Sequence, residues 1–559
     1  MAGIEIPVLI VGGGPAGLTS SIVLSRLGVP SLLVERHPGT LNHPKAIAIM
    51  QRTAELFRLW GAEQRMRQDG VPEAWYGQMI WTTTLAGEEL GRTVTVEPDD
   101  VAAEPKSPTR AFRCPQNITE AALLACARRY GCAQLLFNTQ MTGFAQDAAG
   151  ITATILDRGS GEQRTVRAQY LIAADGTASG IRASCGIAQS GDADIGHFIN
   201  IFHRAALGPL VRNRPAWSYS VATPELFGAF VTVNGDDLWL FHLDLGPDET
   251  PDDYPAVRCI EIIRHAAGLS DLPVEIISVK PWIMGAQISD RFRAGRVLLT
   301  GDAAHRTTPD GGVGMNTAIQ SAHNLAWKVG AVIAGWASEA LLDSYETERR
   351  PAAQMNVAYS RRRGGGLMAM MEAIKAGDLD AVRAGIRARS AAGSRQGQDL
   401  GYTYEAGALV PDGTALPQVE DRMRDYVPNA RPGSRAPHLW LTRHGERISS
   451  LDLFDAELVL LTGASGQAWL SAAQDVARSR RVPLQAYTIG ARGDLVAPDA
   501  RWRELYGIEP DGAVLVRPDG FVGWRARSAS ATSRTELDEA VATVTGSGTN
   551  VARSGPGNH

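Results

Sequence analysis

Three stretches far apart in the chain carry residue types suited to gripping one extended, phosphate-bearing ligand. In the first, Gly12, Gly14 and Gly17 stand at G-x-G-x-x-G spacing around Pro15 and Ala16. The first glycine permits a tight turn, the second admits a pyrophosphate to the backbone, and the third lets a helix pack on the preceding strand. Glu35 follows about twenty residues on, where a carboxylate takes ribose hydroxyls. The second stretch is Asp175-Gly176 with Ser179 and Arg182. The third is Gly301-Asp302, then Pro309 and Gly311-Gly312-Val313-Gly314-Met315-Asn316. Backbone N–H groups and the positive end of a helix at Gly314 could there be offered to an anion.

These residues need particular elements to present them. The apolar, β-branched run at 6–11 reads as a buried parallel strand, followed by a helix over about 16–27 that Gly28 ends. Residues 31–34 read as a second strand. Residues 51–60 form an amphipathic helix, and Asn117 is placed to cap another over 118–130. A small meander starts at 135–137 and continues through 151–155, with a hairpin turn over 157–163. Residues 170–173 and 296–300 are further strands. Between about 190 and 285 the text alternates in the strand period, with Trp217, Tyr219 and Val221 sharing one face and Trp239 sharing a face with Phe241. A mostly antiparallel sheet is expected there. A long helix follows over about 314–332. The text stays helical over 346–395 and linker-like over 400–436, and it alternates strand with helix over 437–545.

Composition narrows the class. The 559 residues include 55 Lys+Arg against 60 Asp+Glu, a net charge of −5, which argues against a nucleic-acid-binding surface. No run approaches the ~18 apolar residues that span a bilayer. Five cysteines, all in the first half and without C-x-x-C spacing, point to reduced thiols in a cytoplasm and to no metal site.

At these spacings the three stretches resemble the FAD-dependent aromatic hydroxylases, the single-component (class A) flavoprotein monooxygenases, over about residues 4–350. Within that family the chain resembles the phenol-type and polyketide-tailoring hydroxylases with an added C-terminal domain. Residues 516–525, VRPDGFVGWR, are similar to the recurring ending of that thioredoxin-like domain. The resemblance implies an α/β, Rossmann-type FAD-binding fold (the aromatic hydroxylase fold), an antiparallel-sheet substrate domain and a C-terminal thioredoxin-like α/β domain. Expected boundaries are 1–70 with 110–186 and 286–345 for FAD, and 71–109 with 187–285 for substrate. A helical segment and linker at 346–436, the thioredoxin-like domain at 437–545 and a disordered tail at 546–559 complete the expectation. The C-terminal domain has no cysteine, so thiol redox chemistry is excluded there, and packing or homo-oligomerisation is its default role.

The resemblance also implies roles. Gly12, Gly14, Pro15, Ala16 and Gly17 cradle the FAD pyrophosphate, Glu35 takes the adenosine ribose, and Arg36 lies against adenine. Gln116, with Arg113 close by, stands beside the ribityl chain. Gly301 and Asp302 bind the ribityl or pyrophosphate region. Lys45 sits where the family often has an arginine, keeping the charge without the bidentate fork. Asp175-Gly176 matches a motif linked to both FAD and NAD(P)H. Pro309, Gly312, Gly314, Met315 and Asn316 approach the flavin, where backbone donors would stabilise the reduced anion. No second complete glycine fingerprint exists, so NAD(P)H would bind transiently across the FAD surface.

The implied reaction is hydroxylation of a small phenolic or polyketide-like aromatic. NAD(P)H reduces FAD, O₂ adds, and a C4a-hydroperoxide delivers one oxygen to the ring. His43, His242 and Tyr219 are candidates for the base that activates the phenol, with Pro309 at the same centre; Trp217, Tyr219, Trp239 and Phe241 are candidate substrate walls. Blander readings stand beside these. Asp302 could cap a helix turn, Asp175-Gly176 could be a plain hairpin turn, Arg113 and Gln116 could be helix-entry residues, His43 and His305 could be structural histidines, and the four aromatics could be sheet core. Rival functions are a Baeyer–Villiger or epoxidising oxygenase and a non-catalytic flavin-binding redox sensor. A halogenase is disfavoured because no G-W-x-W-x-I-P segment occurs.

Overall fold

A computed structural model describes residues 3–94, 105–246, 249–390 and 395–548. The tail beyond 548, expected to be disordered, lies outside the described residues. The chain divides into two compact units, one of Met1–Ala326, Arg349–Gly401 and Val419–Tyr426, the other of Trp327–Glu348, Tyr402–Gln418 and Val427–His559.

The first unit holds two eight-stranded sheets. In the first sheet, Ile4–Val11 lies between Ser31–Val34 and Gln163–Ala173, parallel to both, with Ala133–Leu136 and Val297–Leu299 extending the parallel run outwards. Val8, Leu9 and Ile10 are fully buried, as a strand covered on both faces requires. The first helix is Pro15–Arg26, beginning with a proline that has no N–H to leave unsatisfied. The meander differs from expectation. Leu135 and Leu136 pair with Leu33 and Val34 in the parallel sheet, and the meander starts only at Thr139–Gln146. Asn138, at φ 54°, turns the chain between the two. The next helix runs Gln116–Tyr130, so Asn117 sits inside its first turn, and Pro115 occupies the cap position.

The second sheet is built from Glu275–Ser289, Gln189–Arg204, Leu238–Asp244, Leu226–Thr232, Ser218–Thr223, Gln78–Thr82 and Glu89–Val94, in that order, with His305–Arg306 at its edge. All its pairings are antiparallel except Ser218–Thr223 with Gln78–Thr82. Helices Asp343–Lys375 and Leu379–Ser390 contribute Met370, Ile374, Val382 and Ile386 to a core with Trp81 and Ala222.

The second unit carries a four-stranded sheet ordered Leu484–Ile489, Leu458–Gly463, Ala513–Val516, Val522–Ala526. The first pair is parallel and joined by helix Gln467–Arg480, the other pairings are antiparallel, and helix Ser533–Val544 ends the unit. This βαβ-then-ββα order is the thioredoxin-like arrangement. Its core encloses an ionic cluster. Lys328 Nζ donates to Glu348 Oε2 at 2.7 Å, and Arg517 Nη1 and Nη2 donate to the two Glu348 oxygens at 2.7 and 2.8 Å. Asp519 accepts from Arg517 Nε at 3.0 Å. Lys328, Glu348 and Arg517 are fully buried, and burial lowers the Lys328 pKa to about 8 even with Glu348 opposing. Breaking a buried pair from one side leaves uncompensated charge. Glu348→Ala is therefore expected to lower the unfolding free energy by about 3–5 kcal/mol in urea titrations followed by tryptophan fluorescence. A loss within error would mean that Asp519 alone satisfies both cations.

Candidate active site

The glycines of the first turn divide into two kinds. A β-carbon at Gly12, where φ is +112°, would lie 2.2 Å from the Ala174 carbonyl oxygen, and one at Gly17 would lie 1.9 Å from the Gly12 carbonyl oxygen. Those two positions are dictated by packing. Gly14 has extended backbone (φ −77°, ψ −172°) that any residue adopts, and a β-carbon there would meet nothing within 4 Å. Nothing in the chain itself requires glycine at this position. The open space lies at the N-terminus of Pro15–Arg26, a helix start with no side-chain cap, and it suits a phosphate group. Glu35 closes the turn: Oε2 accepts the Gly13 N–H at 2.7 Å and Oε1 accepts the His37 N–H at 2.8 Å. Its remaining lone pairs could receive ribose hydroxyls. Arg36 is exposed beside it.

The other two stretches meet this turn. Gly301, at φ +61°, packs so that its β-carbon would lie 3.0 Å from that of Ala16. Asp175 accepts the Ser179 hydroxyl at 2.6 Å, and Gly176 takes a positive φ. Arg182 donates to the carbonyls of Ala303 and Thr177, both at 3.2 Å, tying the Asp175 turn to the Asp302 turn. The Asp302 carboxyl is exposed yet closely walled by protein, and desolvation pushes its pKa up against Thr177, Lys45 and Arg306. An accessible carboxylate deep in a cleft suits polar hydroxyls of a ligand. Lys45 is itself exposed. Gln116 donates to Glu120 Oε1 at 2.8 Å, and its N–H donates to the Ala46 carbonyl at 2.8 Å, so it enters the helix and faces the same loop.

The loop before helix Gly314–Ile333 needs its glycines. Gly311 and Gly312 have φ of +107° and +64°, and a β-carbon on Gly312 would lie 2.6 Å from that of Ala48. Asn316 is committed inside the fold: its amide oxygen accepts the Met50 N–H, and its Nδ2 donates to Ala48 and Gly312 carbonyls. It shapes the loop and has no amide group left for a ligand. Met315 is buried beside it, and Pro309 is exposed, its carbonyl accepting the Gly312 N–H at 3.0 Å. Sequence reasoning missed what holds the loop from outside. Arg389 donates to both Asp310 oxygens at 2.8 Å, and Arg395 donates to the Gly311 carbonyl.

The second sheet presents one face to these loops, and most of the expected aromatics are on the other. Tyr219, Phe230, Trp239 and Phe241 are fully buried and pack on one another and on Trp75. The Tyr219 hydroxyl donates to the Arg214 carbonyl and accepts the Ala216 N–H, and burial raises its pKa. Tyr219, Trp239 and Phe241 are therefore corrected from substrate wall to core, and Tyr219 from base to structural phenol. Trp217 parts from them because the strand begins only at Ser218. It packs on the front face with Phe202, Val231, Leu240 and Ile47. His43 joins this face, its ring 6.0 Å from Phe202, its Nδ1 2.8 Å from Ser278 Oγ, and its Nε2 buried without a partner.

His242 lies on the same front face, one strand position beyond Leu240 in the strand period. Asn200 Oδ1 receives Trp282 Nε1–H at 2.7 Å and His242 Nδ1 at 2.6 Å. The indole can only donate, so the Asn200 atom is an acceptor and His242 Nδ1 carries its proton. His242 Nε2 keeps a lone pair that no described residue takes. Burial and the neighbouring His43 lower its pKa to about 4, so the ring is neutral near neutral pH. Neither Asn200 nor Trp282 stood out in the sequence; only correct strand phase would have marked them.

The two kinds of glycine separate experimentally. Gly14→Val should keep the thermal midpoint and weaken dinucleotide affinity at least tenfold, about 1.4 kcal/mol. Gly12→Ala should lower the midpoint through its clash with Ala174. Asp302→Ala should purify largely without cofactor at an unchanged apo-protein midpoint. Full cofactor occupancy in either Gly14→Val or Asp302→Ala would refute the placement.

Residues 5–360 match the family described as FAD binding domain, and residues 429–548 match that described as aromatic-ring hydroxylase, C-terminal. The chain is 38% identical to the tetracenomycin A2 monooxygenase-dioxygenase of Streptomyces glaucescens, covering 97% of this chain and 98% of the relative. It superposes on the flavin-dependent monooxygenase PieE, solved with FAD and substrate, with a TM-score of 0.90 at 35% identity, over 97% of this chain and 99% of that one. It superposes on aklavinone-11 hydroxylase, solved with FAD and aklavinone, with a TM-score of 0.82 at 32% identity, over 98% and 100%. Among the described residues no helix is long and apolar enough to cross a membrane, and no cluster could hold a metal ion. With the turn, the two strand-end acids and the glycine loop converging on one edge of the first sheet, the chain belongs to the FAD-dependent aromatic-ring hydroxylases.

Proposed function

We propose that the protein hydroxylates a phenolic ring of a polycyclic, polyketide-type aromatic, consuming NAD(P)H and O₂. The observation that carries this reading is the His242–Asn200–Trp282 relay, which holds one imidazole lone pair free on the face of the sheet that meets the glycine loop. The Gly12–Gly17 turn with Glu35 would hold one end of FAD, and Asp302 with the loop at 311–316 would hold the other. FAD supplies the oxygen-transfer chemistry when bound.

The chain's own residues bind and orient the ring and manage its proton. Trp217, partly buried against the Phe202–Leu240 cluster, would give a planar ring an apolar floor. His242 Nε2 accepts a hydrogen bond from the phenolic hydroxyl. A base of low pKa is adequate here, because the hydroxyl becomes strongly acidic as a ring carbon ortho or para to it gains oxygen and the phenol oxygen turns carbonyl-like. The proton then passes to Nε2. Asn200 steadies the imidazolium through Nδ1–H, and the buried surroundings exclude competing water.

A panel of phenols and hydroxylated naphthalenes, anthracenes and quinones, scored by NAD(P)H consumption and product mass, tests the reaction. New phenols are expected; ring-oxygen insertion without a new phenol, or no substrate-stimulated oxygen uptake, would overturn it. His242→Gln should lower kcat about a hundredfold with FAD content unchanged. The free-enzyme kcat/KM should hold as pH falls through 6.5, and drop only as it nears the His242 pKa of about 4, where Nε2 becomes protonated. An acid limb at 6.5 would assign the titration elsewhere.

A further inference from the structure

Arg113 is 9% exposed, and its guanidinium carbon stands 4.7 Å from the centre of the Trp217 ring. No carboxylate or carbonyl among the described residues accepts a hydrogen bond from that guanidinium. The contrast with other buried arginines is plain: Arg52 pairs with Glu55, Arg517 with Glu348 and Asp519, and Arg525 with Asp412. A buried charge is ordinarily paired. Desolvation, with a second cation, Arg395, beside it and the Tyr76 phenol opposing, lowers the Arg113 pKa to about 10. The arginine stays charged at neutral pH. Asp310, next to the Gly311 whose carbonyl Arg395 contacts, has both its oxygens held by Arg389.

The location says which molecule brings the missing anion. Trp217, the ring under Arg113, packs with Phe202, Val231 and Leu240 on the front face of the second sheet. Arg395, whose charge bears on Arg113, donates to the Gly311 carbonyl and lies over Tyr359. Arg113 thus stands between the floor proposed for the aromatic ring and the glycine loop. We infer that Arg113 binds an anionic oxygen substituent of the substrate, a carboxylate or an acidic enol beside the phenol, and so sets the enzyme's preference for acidic aromatics. The inference rests on the reading that an aromatic ring occupies that floor. Arg395 supports it by raising the positive potential there while it is itself engaged with the Gly311 carbonyl. An anionic oxygen could also come from the cofactor, and the test separates the two.

The full-length holoenzyme is titrated with 1-hydroxy-2-naphthoate and with 1-naphthol, reading the perturbation of flavin absorption. Wild type is expected to bind the carboxylate about tenfold to a hundredfold more tightly than the neutral phenol, as a hydrogen-bonded charge contact would give. Arg113→Met should abolish that preference while FAD content, flavin reduction potential and 1-naphthol affinity stay unchanged. Arg113→Lys should keep part of the preference, since it keeps the charge and loses the planar stack on Trp217. No preference in wild type overturns the inference whatever the variants do. Preference retained in Arg113→Met, or lost FAD and a shifted flavin potential with preference intact in Arg113→Lys, assigns the cation to the cofactor and overturns it as well. If both naphthols bind with the expected preference but neither gains a hydroxyl, the proposed reaction fails and the anion site stands.

Discussion

The carbonyl oxygen of Gly12 approaches the backbone of Gly17 so closely that a β-carbon there would lie 1.9 Å away. That contact seats the first helix on the end of the first strand. A second contact, Gly12 against the Ala174 carbonyl, brings the neighbouring strand to its end at the same level. A third, Gly301 against Ala16, does this for the next strand. Three strand ends that must stop together put Gly14, Asp175 and Asp302 along one edge. Ligands of open α/β sheets lie outside that edge. The cofactor site is in this sense a by-product of where side chains cannot fit.

The reacting end depends on a different kind of restraint. The glycine loop is inherently pliable, and its shape is imposed by partners: Asn316 from within, Arg389 and Arg395 from without. The helical stretch at 349–390 is therefore part of the candidate site's scaffold as well as of the core around Trp81. Electrostatics agree with this division. Asp310 of the loop is already answered by Arg389, while among the described residues no carboxylate bonds to Arg113, so the space it borders favours electron-rich or anionic guests.

What could be read from the sequence follows from the range of each signal. The glycine turn, Glu35, Asp302 and the positive-φ glycines at 176, 301 and 312 announce themselves within a few residues, because local backbone geometry demands their types. The C-terminal unit was legible through its strand–helix alternation. The sheet aromatics were not assigned correctly, because period-two alternation tells which residues share a face without telling which face meets the flavin loops. Trp217 broke even that pattern by preceding its strand. Asn200, Trp282, Arg389 and Arg395 were silent: each matters through a partner between 42 and 84 positions distant, and composition carries no trace of such pairings.

The two-faced sheet bears on how such an enzyme changes its diet. Tyr219, Phe230, Trp239 and Phe241 on the back are bound into the core, and altering any of them would be paid for in stability. On strand Leu238–Asp244, Leu240 and His242 of the front alternate with Trp239 and Phe241 of the back, and Phe202 pairs with Leu240 from the neighbouring strand. On the proposed function, that strand carries residues for the fold and residues for the chemistry at alternate positions. If the front set meets the substrate as proposed, substrate range would drift through it while the back set keeps the protein folded, and one architecture would be retuned to many aromatic skeletons in small, survivable steps.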